Sequence, residues 1–241
     1  MVGPLSTVAL EGLRDHGPFY DAATYFKLVG EARYRKACEG KEGGDFAKLA
    51  THVFLDIVHN TELFTNPTNP ENPGGPGPFH LNHMDMGTQN ILVDDDFNFL
   101  AIIDWEFAQT APWQINHYQM PFPLVTSDSE IERVLGNPGD LAHGNMLRQT
   151  TAQKLYRKKF QEAEAELAQK GRRSAISIAD SLDGASSRIY ACLERLTGDD
   201  GHDESLAREI VRLAYQFDEE GISTYLRSMK SKIDDGRVYI V

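Results

Sequence analysis

Residues 79–106 constrain the fold most strongly, because polar and apolar stretches alternate there at the spacing of a β-hairpin. A polar loop, residues 83–90, is followed by the apolar run Ile91–Val93, the acidic turn 94–96 and a second apolar run, residues 100–103. Two short apolar runs around such a turn are typical of antiparallel strands. Because these strands fold back on each other, we expect the residue before the first strand to lie beside the residue after the second.

Three polar residues of this stretch predict a site for metal-assisted phosphoryl transfer. Asn90 and Asp104 stand at the two ends of the predicted hairpin, and both offer the oxygen ligands that Mg²⁺ prefers. Asp85 lies on the same loop as Asn90, where its carboxylate could orient an attacking hydroxyl and accept its proton. The alternative interpretation is a buried loop in which Asp85 caps a turn and Asn90 satisfies backbone groups.

Two segments of the hairpin region resemble a known family. HMDMGTQN at 83–90 and IDWE at 103–106 are similar to the catalytic loop and the metal-binding segment of the aminoglycoside phosphotransferase/choline kinase family. The sequence ILVDDDFN, followed by IIDWEFAQT, is most similar to the large fungal branch of that family. The resemblance implies a protein-kinase-like fold, ATP and Mg²⁺ as cofactors, and a small-molecule hydroxyl as the phosphoryl acceptor.

The resemblance also implies a role for each matching residue. Asp85 would be the catalytic aspartate, and His83 would brace the catalytic loop. Asn90 and Asp104 would bind Mg²⁺ and, through it, the nucleotide, and Glu106 is a candidate for a second metal contact.

Only the second, mostly helical lobe of that family is expected here. The resemblance implies a protein of two lobes. The first lobe would be β-rich and would carry a loop that covers the nucleotide and a lysine on a strand. The residues before His83 instead predict turns and helices, with no pattern of strand, glycine-rich turn and strand. Three explanations stay open: lost upstream exons, a degenerate relative kept for binding, or a protein partner that supplies the missing lobe.

The chain is therefore expected to form one α+β, mostly α domain over residues 1–241, without the N-terminal β lobe. Its expected parts are a lead-in (1–18), helices (19–65), a Pro/Gly loop (66–78), the catalytic loop and metal-binding hairpin (79–106), and a loop with helices (107–241). Within them, apolar periodicity and turn signals predict helices over 21–39, 45–64, 129–135, 151–170, 174–196 and 203–233, and Asp21 is the expected N-cap of the first helix.

Charge and composition narrow the classes of partner. A formal net charge of −12 argues against nucleic-acid polymers and anionic membranes, which need a basic surface. The chain contains no apolar run long enough to span a bilayer, and Cys38 and Cys192 fit no disulfide or metal pattern, so we expect a cytoplasmic protein. Lys and Arg are absent from residues 79–132, so phosphate charge would have to be offset by Mg²⁺, by backbone amides or by groups from elsewhere.

Three hypotheses of different classes follow. The first is a phosphotransferase that moves the γ-phosphate of ATP to a small hydroxylated or amine-bearing metabolite. The second is a non-catalytic, kinase-like domain that binds a small molecule or a protein, for which an acidic cleft would favour a cationic ligand. The third is an enzyme that uses the acidic cleft for acid/base chemistry without a nucleotide.

Overall fold

The protein is mostly helical, as the expected α+β, mostly α class requires. A computed structural model describes Leu13 and residues 17–39, 44–65, 79–116, 128–172 and 176–237. The predicted Pro/Gly loop, residues 66–78, and most of the predicted lead-in lie outside these described residues.

The helices are α1 Ala22–Cys38, α2 Asp45–Asn60, α3 Asp128–Leu135, α4 His143–Gln169, α5 Ile178–Leu182, α6 Ala185–Glu194, α7 Asp200–Tyr215 and α8 Glu219–Asp234. The strands are β1 His80–Asn82, β2 Ile91–Val93, β3 Phe99–Ile102 and β4 Gln109–Ala111. Within the described residues they form two antiparallel pairs, β2 with β3 and β1 with β4. The hairpin expected from the sequence is β2–β3, whereas the β1–β4 pair was not predicted.

Helix α2 forms the centre of the core. Almost every residue between Ala47 and Val58 is buried, which is the behaviour of a helix that is apolar around most of its circumference. Helices α1, α7, α8 and α6 pack against it. Where α1 meets α2, Phe26, Phe54 and Phe64 are fully buried and meet edge to face, with ring centroids 4.7 Å apart for Phe26 and Phe64.

A buried polar cluster holds α8 against α2. Asp56 of α2 is 4% exposed, and its Oδ2 accepts hydrogen bonds from the hydroxyls of Tyr225, at 2.6 Å, and Tyr215, at 3.1 Å. Nζ of Lys232 lies 3.7 Å from the other carboxylate oxygen. Because these partners replace the water that Asp56 loses on burial, the charge is tolerated inside the fold.

The helix starts are set by local capping. Asp21 caps α1 as the sequence predicts, because its Oδ1 accepts a hydrogen bond of 2.7 Å from the amide of Thr24. Helix α2 begins at Asp45 as expected but ends at Asn60 and not at residue 64, because Thr61 has an extended backbone. Helix α4 begins at His143, before the expected start at 151.

Two long helices expected from the sequence are each divided in the structure. The stretch 174–196 contains α5 and α6, with Gly184 as the extended residue before α6. The stretch 203–233 is interrupted after α7, where Gln216 has a left-handed backbone and Asp218 caps α8 by accepting a hydrogen bond from the amide of Gly221. The Asp-x-x-Gly capping signal was hidden in an acidic run that also suits a continuous helix.

None of the described helices combines the length and the apolar composition that crossing a bilayer requires.

Gly30 sets the distance between α1 and α2, which gives a first prediction. A Cβ at residue 30 would lie 2.7 Å from a methyl carbon of Leu55, whereas a Cβ at Gly144 in α4 would meet nothing within 4 Å. We expect Gly30→Ala to lower the free energy of unfolding by about 1 to 2 kcal/mol, since the overpacking exceeds the gain in helix propensity. Gly144→Ala should raise it by about 0.5 kcal/mol. Urea unfolding of both variants checks this, and equal effects of one sign would contradict it.

Burial of His52 gives a second prediction. His52 is fully buried in α2, and burial lowers the pKa of its imidazole from the ordinary value of 6.5, against the opposing effect of Asp56. The unfolded chain therefore binds more protons than the folded chain as the pH falls below about 6.5, and stability is lost in that direction. We expect His52→Gln to reduce the loss between pH 7 and pH 5, by at most about 1.4 kcal/mol per pH unit. Urea unfolding at several pH values measures it, and identical slopes would refute it.

Candidate functional site

The side chain of Asn90 stabilises the turn of the predicted catalytic loop by hydrogen bonding to Asp85, which lies on the same loop. Its Nδ2 donates a hydrogen bond of 2.7 Å to the main-chain oxygen of Asp85 and lies 3.3 Å from the carboxylate oxygen Oδ2 of the same residue. The main chain supports this turn, because the amide of Asn90 donates to the carbonyl of Gly87 and the amide of Gly87 donates to the carbonyl of Asp85. Asn90 is 4% exposed while Asp85 is exposed, so a buried amide holds a carboxylate that faces solvent.

His83 joins the loop to the far end of the hairpin. Its Nε2 donates a hydrogen bond of 2.8 Å to the carbonyl oxygen of Ile103, directly before Asp104. The indole of Trp105 meets the buried His83 ring edge to face at 4.8 Å and donates from Nε1 to the carbonyl of Ile102. These contacts fix the ring and leave the proton on Nε2.

The hairpin places Asn90 beside the residue that precedes Asp104. Ile91 pairs with Ile102, and the amide of Ile103 donates a hydrogen bond of 2.9 Å to the carbonyl of Asn90. At the other end of the hairpin, Oδ1 of Asp94 accepts a hydrogen bond from the amide of Asn98 and closes the turn. Hydrogen bonds from Asn98 and Asp96 lower the pKa of the Asp94 carboxyl. The chain returns to Asn90 because this turn is well defined.

Two residues with left-handed backbones flank the contact between His83 and Ile103. Met84 and Asp104 both have a φ of 65°, which is uncommon for residues other than glycine. Such conformations cost about 1 to 3 kcal/mol each and collect where a site needs a particular side-chain direction. Two of the four described non-glycine residues with a positive φ therefore lie on the segments that carry Asp85 and the Asp104 carboxylate.

The structure brings His83, Asp85 and Asn90 into one hydrogen-bonded arrangement and places Asp104 next to it. Glu106, in contrast, is exposed on the short 3₁₀ helix Trp105–Phe107 and forms no hydrogen bond or ion pair with the part of the chain that the structure describes.

The chemistry of Asn90 and Asp104 fits Mg²⁺. Because Nδ2 of Asn90 is engaged by Asp85, its Oδ1 is the amide atom left for a cation, and the exposed Asp104 carboxylate pairs with no described Lys or Arg. Among the described residues, no group of three or more His, Cys, Asp or Glu could hold a metal ion. Two protein oxygens are sufficient for Mg²⁺ when substrate phosphates and water complete its shell.

The structure also reveals a buried polar residue that the sequence analysis missed. Gln109 of β4 pairs with Asn82 of β1, just before the predicted catalytic loop, and is 7% exposed. Neither its Oε1 nor its Nε2 has a hydrogen-bond partner within the described residues. A three-residue strand is too short to produce a recognisable alternation, so no sequence signal marked Gln109 as buried.

Two histidines on this segment provide a matched prediction. His83→Phe keeps a ring beside Trp105 but removes the donor to Ile103, so it should cost about 1 to 3 kcal/mol and speed hydrogen exchange at the Ile103 amide. His80→Phe removes no such bond, because the buried Nε2 of His80 has no partner among the described residues. It should be neutral or slightly stabilising. Hydrogen exchange and urea unfolding separate the two, and equal effects would refute the bracing role of His83.

Comparisons with known proteins give no relative from which a family could be assigned. No protein-family model matches the chain, and neither the curated proteins nor the solved structures yielded a significant match.

Proposed function

We propose that this chain is the catalytic lobe of an ATP- and Mg²⁺-dependent phosphotransferase of the aminoglycoside phosphotransferase/choline kinase type. The observation that carries the proposal is the arrangement of the catalytic loop. Buried Asn90 holds Asp85 by its side chain, while His83 ties the same loop to the residue before Asp104. A loop that merely completed a turn would not need an exposed carboxylate at each side of a buried amide.

Each residue has a distinct role in the proposed reaction. Asp85 orients the acceptor hydroxyl and takes its proton as the hydroxyl oxygen bonds to the γ-phosphorus and the bond from that phosphorus to the bridging oxygen breaks. Asn90 keeps the Asp85 carboxylate in place through its Nδ2. His83 is a positioning residue, since it acts through the main chain of Ile103. Asn90 and Asp104 would hold Mg²⁺, which when bound offsets phosphate charge.

The acceptor is proposed to carry an amine as well as a hydroxyl. Asp85, Asp104 and Glu106 are exposed in this region, and no described Lys or Arg pairs with them. A concentration of unpaired carboxylates attracts cations and repels anionic acceptors. We propose the cytoplasm as the compartment, because Cys38 and Cys192 are free thiols.

A second candidate function is a non-catalytic, kinase-like binding domain. It is favoured by the described residues before the loop, which form α1, α2 and the three-residue strand β1, and β1 contains no lysine that could bind phosphate. Phosphoryl transfer depends on positioning and charge stabilisation, so a chain without these groups would bind nucleotide weakly.

Calorimetric titration of Mg-ATP into the purified chain tests the proposal, with Asp104→Ala and Asp95→Ala as matched variants. Saturable binding that requires Mg²⁺, is lost in Asp104→Ala and survives in Asp95→Ala is expected, because the exposed Asp95 side chain lies in the distant turn of the hairpin and forms no hydrogen bond with the described residues. Circular dichroism establishes that each protein is folded. Absence of binding to the folded wild-type chain would reject a self-sufficient nucleotide site and favour the binding domain.

A further inference from the structure

The β2–β3 hairpin exposes an unusually apolar surface next to the proposed catalytic loop. We define the hairpin surface by its exposed apolar side chains: Ile91, Leu92, Val93, Phe97, Phe99, Leu100, Ile103 and Trp105. Their exposed fractions range from 37% for Ile91 to 85% for Phe97. Because strand side chains alternate between faces, exposure along all of β2 means that the described residues leave both faces of this strand uncovered.

The hairpin surface has the size of a functional apolar patch. Over both faces of the hairpin its side chains expose on the order of 900 Å², given side-chain areas of about 100 to 250 Å² for large apolar residues. Each face therefore exposes roughly half of that area, which matches the about 300 to 600 Å² of the largest, often functional, apolar patch on a typical monomer. An isolated two-stranded hairpin is only marginally stable in water, so covering it would also stabilise the site.

The strand edges are open to pairing. In the described structure β2 and β3 pair only with each other, so each has one edge without a neighbouring strand. Neither strand contains the lysine or proline that commonly blocks edge pairing. An extended segment could therefore add main-chain hydrogen bonds to the apolar contacts.

The charge around the hairpin surface indicates which kind of protein partner would bind there. The charged residues within the segment 84–106 are all acidic, namely Asp85, Asp94, Asp95, Asp96, Asp104 and Glu106, and none forms an ion pair with a described Lys or Arg. The sequence from residue 49 to residue 132 contains neither Lys nor Arg. A second copy of this chain would bring two such acidic rims together, which is unfavourable, whereas a basic rim on another protein would complement them.

We propose that the hairpin surface docks a protein segment that adds a strand to the hairpin, covers its apolar side chains and carries Lys or Arg at its rim. This inference rests on the proposed function in one respect: the basic groups of the docked segment would lie near the site where Asp85 and Asp104 receive phosphate. The docking itself needs no nucleotide, so it can be tested separately.

The test uses two fluorescent strand peptides with alternating valine, one with lysine and one with glutamate at the other positions. The hairpin variant is Phe97→Asn with Leu100→Thr, because asparagine suits the left-handed backbone at residue 97 and threonine suits a strand. The control variant is Leu141→Ser with Leu147→Gln, which changes two exposed leucines elsewhere, one preceding α4 and one within it.

We expect the lysine peptide to bind at least about tenfold more tightly than the glutamate peptide in fluorescence anisotropy, and the hairpin variant to lose at least about tenfold in affinity. The control variant should bind like the wild type. Equal binding of both peptides, or no binding to the folded chain, overturns the proposal. Self-association in sedimentation experiments that disappears in the hairpin variant also overturns it, in favour of a second copy. These measurements contain no nucleotide. Peptide docking can therefore fail while Mg-ATP binds as proposed, and Mg-ATP binding can fail while the peptide docks.

Discussion

The burial of α2 is the constraint on which the rest of the fold depends. A helix that is apolar around most of its surface must be covered on nearly every side, and α1, α6, α7 and α8 provide that cover. Asp56 adds directional contacts to this packing through Tyr225 and Tyr215. The helical body is therefore closely packed around α2, and the loop segments are attached to its outside.

The predicted catalytic loop is attached to that body mainly through the segments beside it, since Ala111 and Ile115 lie in the core and Phe79 and Met84 pack against it. Beyond α2, the side chain of Gln114 donates a hydrogen bond of 2.9 Å to the carbonyl of Thr65, and the 3₁₀ helix Trp113–Ile115 packs against α5 and α6. The β1–β4 pair then joins the segment before the loop to the segment after Asp104. This arrangement closes residues 80–111 into a unit whose ends are fixed, while its hairpin projects from the body.

The sequence predicted the parts of this protein that depend on local chemistry. Three features depend only on neighbouring residues: the cap at Asp21, the start of α2 and the β2–β3 hairpin. Their patterns can therefore be recognised in the sequence without tertiary information. The break between α7 and α8 and the burial of Gln109 depend on packing and long-range pairing, which no local window contains. A bracing role for His83 was expected from the resemblance, but the acceptor of its hydrogen bond, the Ile103 carbonyl, is twenty residues away and is identified only by the fold.

The exposed carboxylates and the exposed apolar side chains of the hairpin together determine which kind of partner can cover it. Carboxylates that face solvent without cationic partners keep their hydration, so the uncovered hairpin is electrostatically tolerable as it stands. Covering it with apolar groups alone would bury main-chain and carboxylate oxygens at a cost that the apolar contacts would have to exceed. Cations at the rim of the covering surface remove most of that cost, because they replace the lost hydration of Asp94, Asp104 and Glu106. The same charges that would make the surface specific for a basic partner thus also disfavour its burial by an uncharged one.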